Sequence, residues 1–280
     1  VFTQPPQKSH RGQKINKSPI QGISETLNID YRTPKTLRDN HEEYEFLKEL
    51  NADLAIVCAY GQIIPENFLN LTKKGFVNIH ASILPSWRGA APIQRSIMNL
   101  DPETGISIMK IKKELDSGPV SNIYKIKIDQ NQNAQEISEK LSALAAEKIL
   151  DNVDDILEDK AKFIDQDHSK ATYAKKIDKE ESRIDWDEDA SKIIGKINGL
   201  FPSPGASFSF NGERYKILKA EIGNGIGQVG EIISNQLEVA CNKNQSIKIL
   251  EIQRQGKRPQ KISEFMLGSQ IKKGSKLSNV

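Results

Sequence analysis

An almost unbroken apolar run, Ala52-Asp53-Leu54-Ala55-Ile56-Val57-Cys58-Ala59, stops at Tyr60-Gly61. It is too short for a typical helix, and unbroken rather than alternating apolarity is what a strand carries when both its faces are covered. Strands covered on both faces belong to sheets flanked by helices, so this one segment points to an α/β fold. Its neighbours agree. Glu42–Leu50 puts Phe46, Leu47 and Leu50 at helical spacing, Phe76-Val77-Asn78-Ile79-His80 reads as a second strand, and Ile106–Ile111 as a third. Ile123–Ile128 alternates instead, with Ile123, Lys125 and Lys127 against Tyr124, Ile126 and Ile128, the pattern of an edge strand with one wet face. A long helix follows: Asn133 is an N-cap with Glu136 at capping-box spacing, and Ile137, Leu141, Leu144, Ile149, Val153, Ile156 and Leu157 form its apolar stripe. The alternation of strands and helices predicts a wound parallel sheet.

After Ser182 the pattern changes. Trp186 and a helix over Ala190–Asn198 lead to Phe201-Pro202-Ser203-Pro204-Gly205, a rigid break. Short strand-like runs then follow at Ala206–Phe210, Tyr215–Ile222, Gly230–Ile233, Leu237–Cys241 and Ser246–Gln253, and Asn211-Gly212 between the first two is a hairpin signal. Closely spaced short strands predict a small β-barrel. The expected division is a catalytic domain over 1–165, a linker over 166–181 and a barrel over 182–280, in keeping with a chain of 280 residues.

Composition narrows the class. No apolar stretch reaches the length of a membrane span. Two cysteines, Cys58 and Cys241, staple nothing in a chain this long and suit a reducing cytosol; Cys58, inside an apolar strand, is expected in the core. The net charge of +3 says little, but its distribution says more. Residues 129–170 hold eleven Asp and Glu against five Lys, whereas 241–280 hold nine Lys and Arg against two Glu. Lys8, Arg11, Lys14 and Lys17 add charge near the beginning with no acid among them. Basic ends around an acidic middle suit a polyanionic partner, although lysines that merely solvate loops give the same count.

Chemistry-bearing residues gather in one stretch. Asn78 and His80 lie two apart on a strand and so share a face. The polar loop from Ala81 to Arg95 follows at once, shaped by Pro85, Gly89 and Pro92, and a second loop, Glu114-Leu115-Asp116-Ser117-Gly118-Pro119, follows the next strand and can carry Asp116 to His80. Strand-end loops in wound α/β sheets are where such folds bind ligands. No His, Cys, Asp or Glu cluster has metal-ligand spacing, so no metal is expected.

Asn78-x-His80, Ser82-Ile83-Leu84-Pro85-x-x-Arg88-Gly89 and Leu115-Asp116-x-Gly118 together resemble the signature of the tetrahydrofolate-dependent formyltransferases. Trp87-Arg88-Gly89-Ala90-Ala91-Pro92-Ile93-Gln94 is similar to the branch that acts on methionyl initiator tRNA, as are Ala59–Pro65, Tyr173-Ala174-Lys175-Lys176 and Arg183-Ile184-Asp185-Trp186. The Glu114–Pro119 loop reads as much like the formyltransferases of nucleotide precursors. The resemblance implies a Rossmann-like sheet lacking the family's first strand and helix, followed by an OB-like barrel. It also implies 10-formyltetrahydrofolate as co-substrate, with Ser82, Ile83, Leu84 and Pro85 lining its pocket and Gln62 and Ile63 as further wall candidates. The basic loop within Gln4–Gln21 is implied to meet tRNA through Arg11, Lys8 and Lys14, and Lys257 and Arg258 of the barrel are candidate tRNA contacts. The abrupt Val1-Phe2-Thr3 opening reads as the end of a strand, so upstream residues are expected to be missing and the chain by itself to be unstable or aggregation-prone. A monomer is expected, in a bacterial cytoplasm rather than an organelle matrix.

The residue types suit the reaction without the resemblance. Formyl transfer to an amine passes through a tetrahedral oxyanion and needs a proton on the departing nitrogen. The Asn78 amide is a donor for that oxyanion, an interaction worth on the order of 3 kcal/mol. His80 can relay protons near neutrality, and Asp116 can orient the imidazole and stabilise its cationic form. Two other readings use the same residues: transfer to a small amine, which needs no basic barrel, and an RNA-binding protein with an inert formyl domain.

Overall fold

The computed structural model describes residues 1–9 and 14–277, without the side chains of 8, 9 and 14. The chain begins with β1 (Gln7–Ser9), β2 (Lys14–Asn16), α1 (Pro19–Thr26) and α2 (His41–Glu49). There follow β3 (Ala55–Val57), α3 (Glu66–Leu69), β4 (Phe76–His80), β5 (Arg88–Gly89), α4 (Pro92–Met98), β6 (Glu103–Lys110), β7 (Val120–Lys127) and α5 (Ala134–Leu157). The remainder comprises β8 (Tyr173–Ala174), α6 (Ala190–Leu200), β9 (Ser207–Phe210), β10 (Glu213–Ile222), β11 (Glu238–Cys241), β12 (Gln245–Arg254), β13 (Gln260–Lys261) and α7 (Ile262–Gly268). Two compact units result, one of 1–80, 107–123 and 147–168, the other of 81–106, 124–146 and 169–280.

Helix starts obey local chemistry. Asn133 Oδ1 accepts from the Gln135 and Glu136 N–H groups while Glu136 Oε2 accepts from the Asn133 N–H at 2.9 Å, the reciprocal bonding of a capping box. At α2, Asn40 caps the Glu43 N–H, acids fill the first turn and Lys48 the last, as the helix dipole favours. α5 continues to Leu157, the last residue of the apolar stripe read from the sequence.

The α/β sheet has the order β3-β4-β6-β7. β3 and β4 are parallel and β6 runs antiparallel to β4, so the wound sheet is mixed. β7 alternates as predicted, with Ile123, Lys125 and Lys127 exposed.

At β3 the structure corrects the sequence reading. The strand is only Ala55–Val57, pairs β4 alone among the described residues, and leaves Ile56 46% exposed and Cys58 exposed. Continuous apolarity says that both faces suit burial; it does not say what covers them. Here a cavity of about 760 Å³, lined by Phe2, Leu37, Leu47, Phe68 and Phe76 among others, runs beside the strand. Among the described residues Cys58 is thus exposed, where the sequence reading placed it in the core.

In the other unit, α4 packs on α6 through two glycines: a Cβ on Gly195 would meet Leu100 Cδ2 at 2.7 Å, and one on Gly199 would meet the Gln94 carbonyl at 2.9 Å. The predicted barrel region is a curled antiparallel sheet, β11-β12-β10-β9 with β13 on β12. Asn211 and Gly212 turn β9 into β10 with φ of 50° and 77°, the two left-handed positions that an Asn-Gly hairpin supplies. Fully buried Trp186 anchors an aromatic chain that runs through Phe208 and Tyr215 to Phe265 at centroid spacings of 5.9, 5.4 and 5.8 Å. Cys241 lies in this core, and burial pushes its thiol up to about 11.

The two cysteines should therefore respond differently to an aromatic disulfide reagent. One equivalent of thiol, from Cys58, reacts in the folded protein, more slowly than a free cysteine because desolvation raises its pKa. The second equivalent appears only in denaturant. Two rapid equivalents under native conditions would contradict the placement of Cys241.

Candidate active site

β4 supplies two of the three predicted catalytic residues. Asn78 stands between Val57 and Met109 in register, His80 is opposite Ser107, and their alternation puts both side chains on one face. His80 is only 5% exposed. The third residue arrives by a route the sequence does not disclose. Because β6 is antiparallel, its carboxyl end lies beside the start of β4, where the Ile111 N–H donates to the Phe76 carbonyl. The following loop must therefore travel back along β4 before it can meet His80.

Several bonds hold that return. The Lys110 N–H donates to the Pro119 carbonyl at the loop's base, and the Ser117 hydroxyl donates to the Glu114 carbonyl at 3.0 Å. Asp116 takes a left-handed φ of 46°, and the Gln166 amide donates to both the Asp116 and Gly118 carbonyls, at 2.9 and 2.7 Å. A Cβ on Gly118 would meet the Lys110 carbonyl at 1.9 Å, so no larger residue fits there without moving the loop. Asp116 Oδ2 consequently lies 3.6 Å from His80 Nδ1, an ion-pair contact longer than a hydrogen bond. The Asp116 carboxylate thus faces Nδ1 of the imidazole.

The Ser82–Pro85 segment belongs to the other unit. Ser82 is fully buried and its hydroxyl donates to the Ser86 carbonyl at 2.6 Å; Leu84 is buried as well. These two side chains shape the loop, whereas Ile83 and Pro85 are half-buried. The continuation is zipped to residues 172–174. Thr172 bonds Pro85, Trp87 and Arg88 through its backbone and hydroxyl, and the Ala174 carbonyl accepts from the Ala90 N–H at 2.9 Å. Gly89 combines φ of 123° with a close approach, since its Cβ would meet the Ala174 carbonyl at 2.7 Å. The Trp87 indole N–H donates to Asp101 at 2.7 Å, and Arg88 is buried.

The remaining predicted positions are scattered. Gln62 donates from Nε2 to the Pro34 carbonyl, and Ile63 is exposed. Lys257 and Arg258 are exposed in the turn between β12 and β13. Arg11 lies outside the described residues, as do the side chains of Lys8 and Lys14, whose backbone lies in the antiparallel pair β1–β2. Sequence reasoning missed Gln166, which carries no motif signal, and the clamp at Thr172–Ala174, for which the small residues Gly89-Ala90-Ala91 were the available hint of close backbone approach. Among the described residues no group of His, Cys, Asp or Glu could hold a metal ion, and no helix is long and apolar enough to cross a membrane.

Residues 1–153 match the family model for "Formyl transferase" and residues 176–270 the one for "Formyl transferase, C-terminal domain". A methionyl-tRNA formyltransferase of Pelagibacter ubique is 66% identical over the whole chain and 90% of its own length. One from Mesorhizobium japonicum is 38% identical over 99% of this chain and 90% of its own. Among solved structures, the N-formyltransferase from Helicobacter canadensis, in complex with folinic acid and dTDP-3-aminofucose, superposes with a TM-score of 0.67 over 90% of this chain and 87% of its own; at 17% identity this likeness is one of fold.

Gln166 offers a direct test of how the Asp116 loop is held. Gln166→Leu removes the amide donor of the part-buried Asp116 and buried Gly118 carbonyls, a loss of about 1–3 kcal/mol. Amide exchange over residues 114–119 should accelerate roughly ten- to a hundredfold, by the same energy, while the barrel amides keep their rates. Unchanged exchange in that loop would show that the clamp is dispensable.

Proposed function

The chain belongs to the formyl transferase family, and from that premise we propose that it moves the formyl group of 10-formyltetrahydrofolate onto the free amino group of methionyl initiator tRNA. The observation that carries the chemistry is the His80–Asp116 pair, 3.6 Å apart, on the strand face that also bears Asn78. The relatives named for methionyl-tRNA, similar over essentially the whole chain, support the choice of amine.

In this reading the bond between the formyl carbon and the folate nitrogen breaks as a bond from that carbon to the methionine nitrogen forms. One proton leaves the incoming amine and one reaches the departing nitrogen. His80 carries this proton on Nε2, taking it from the amine and returning it to the leaving group. Asp116 acts on Nδ1, fixing the ring and stabilising its cationic form, and the Asn78 amide donates to the oxyanion that develops between the two bonds. The 81–89 loop starts directly after His80, and we assign the folate to its half-buried Ile83 and Pro85 and to backbone groups of Ser82–Pro85. The buried Ser82 hydroxyl, already engaged, is suited to shaping that loop rather than to binding. We further assign 1–165 to catalysis, 166–181 to a linker and 182–280 to tRNA binding, and we expect a monomer in a bacterial cytoplasm.

The defining experiment is to incubate the protein with methionyl-tRNA and 10-formyltetrahydrofolate and look for formylmethionine. Substitution of the three residues gives the mechanistic test. Asn78→Ala, His80→Ala and Asp116→Ala should each lower turnover by about a hundredfold or more, with melting unchanged or nearly so, and pairs should lose far less than the product of the single losses. A folded His80→Ala protein with near wild-type turnover would remove His80 from the mechanism.

The tRNA assignment is tested separately. Arg11→Ala should weaken use of initiator tRNA much more than it weakens folate binding. Removing Lys257 and Arg258 together should weaken all tRNAs alike and flatten the salt dependence of binding. Unchanged kinetics in both variants, with salt-indifferent tRNA affinity, would make a small amine the better substrate.

A further inference from the structure

The outer face of the β9–β10 hairpin forms one wall of a small polar pocket. Strand register sets Arg214 opposite Ser209 and Lys216 opposite Ser207, while Phe208 and Tyr215 face the core. Residues 179–184 run past that outer face and are tied to it where the Ile184 N–H donates to the Ser207 carbonyl at 2.9 Å. The space enclosed is about 240 Å³, lined by Lys179, Glu180, Ser182, Arg183, Ser209 and Arg214 among others.

Arg214 is held in an unusual way. Its Nε donates to Ser207 Oγ at 2.9 Å and its Nη2 to Ser182 Oγ at 3.0 Å, and both serines are only 2% exposed. The Ser182 hydroxyl in turn donates to the Lys179 carbonyl at 2.6 Å, which fixes its lone pairs toward the guanidinium. Both partners are neutral. Among the described residues no carboxylate pairs with Arg214, whereas in the same unit Arg95 is forked onto Glu181 and Arg254 pairs with Glu213. The guanidinium has five N–H donors, so further donors remain beyond the two that the serines receive.

The charged groups facing it do not neutralise it. Lys216 lies near enough that burial first, and then the Arg214 charge, lower its pKa. Lys179 and Arg183 are exposed cations at the rim, and Glu180 is the one carboxylate lining the pocket, itself exposed. Glu181 and Glu213 are already engaged by Arg95 and Arg254. A purely structural staple between residues 179–184 and the barrel would account for the two serine bonds. It would not account for a cation fixed by neutral hydroxyls at the wall of an open polar pocket that Lys179 and Arg183 also line. Such a wall is shaped for a compact oxyanion that can accept several directed hydrogen bonds at once.

We propose that this pocket binds a phosphate group, with Arg214 as its fixed donor and Lys179 and Arg183 closing over it from the rim. The source that best fits the proposed function is a backbone phosphodiester of the RNA substrate, and this choice of source rests on that reading. A free phosphate-bearing small molecule presents the same chemistry.

Two arms separate these sources. In the first, inorganic phosphate is titrated into ¹⁵N-labelled protein and the Arg214 Nε–H resonance, assigned by its loss in Arg214→Met, is followed. A saturable shift is expected, weakened in a Lys179→Gln/Arg183→Gln variant that leaves the buried serines untouched and so avoids any question of folding. In the second arm, methionyl-tRNA binding is measured against salt. Arg214→Met should bind about tenfold more weakly, with a salt slope lower by about one, while Arg214→Lys restores part of the affinity. Effects in both arms identify the RNA backbone as the source; a phosphate shift with unchanged RNA binding identifies a small molecule. No saturable shift, together with wild-type affinity and salt slope in both variants, overturns the site. Formylation by the wild-type protein is assayed alongside: if no formylmethionine forms while the phosphate shift stands, the proposed function fails and the pocket does not.

Discussion

The candidate chemistry depends on a single close approach, the backbone of Gly118 against the Lys110 carbonyl. β6 is antiparallel to β4, so the chain leaves β6 at the end of the sheet remote from His80. It can bring Asp116 back only by folding tightly over its own last strand residue. The 1.9 Å that would separate a Gly118 Cβ from the Lys110 carbonyl measures how tight that fold is. Gly118 has no left-handed φ, so it is required for space and not for conformation; the conformational demand falls on Asp116 itself, at φ 46°. An aspartate tolerates that region better than most residues because its short polar side chain bonds locally. The same residue thus takes up the left-handed position of the turn and presents a carboxylate to the histidine. Gln166 completes the arrangement by occupying carbonyls that a tight turn leaves without partners.

A similar economy governs the 85–91 loop in the other unit. Gly89 meets both demands at once, with a positive φ and a carbonyl where a Cβ would stand. The three-residue segment Thr172–Ala174 satisfies most of the loop's backbone, so the loop's shape is set by a distant part of the chain and not by its own prolines alone. Rigid loops of this kind are what a flat ligand needs, since little freedom then remains to be lost on binding.

Which features could be read from the sequence follows from how local their causes are. The capping box at Asn133 and Glu136 and the Asn211-Gly212 hairpin were legible because their partners lie within four residues. Asn78 and His80 were legible because alternation along one strand fixes their shared face. The direction of β6 was not, since an apolar strand pattern is the same read either way. Nor was the exposure of Cys58 among the described residues, because an apolar strand pattern does not record what lies beside it. Gln166 lies 48 residues from the carbonyl of Gly118 that it serves, and an amide in an acidic stretch carries no signal of that role. Arg214, one of two cations on the polar face of a hairpin, reads as an ordinary solubilising residue until its serine partners and its missing carboxylate are seen together.

These differences in burial separate two kinds of electrostatics. The His80–Asp116 pair sits where solvent ions have little access, with His80 only 5% exposed, so ionic strength scarcely screens it. The cations at Lys179, Arg183, Lys257 and Arg258 stand in solvent and are screened at ordinary ionic strength over about 10 Å. A protein that must gather a large polyanion and then transfer one carbon within it gains from this separation. Capture and release can be tuned by exposed charge without disturbing the proton chemistry, because the two depend on salt in different ways. Arg214 lies between these regimes: half-buried, fixed by neutral hydroxyls and open on one side, it is a cation whose orientation is set in advance. A flexible surface lysine attracts a phosphate without placing it. A guanidinium already pinned at two nitrogens can place it, and that difference separates holding an RNA from holding it in register.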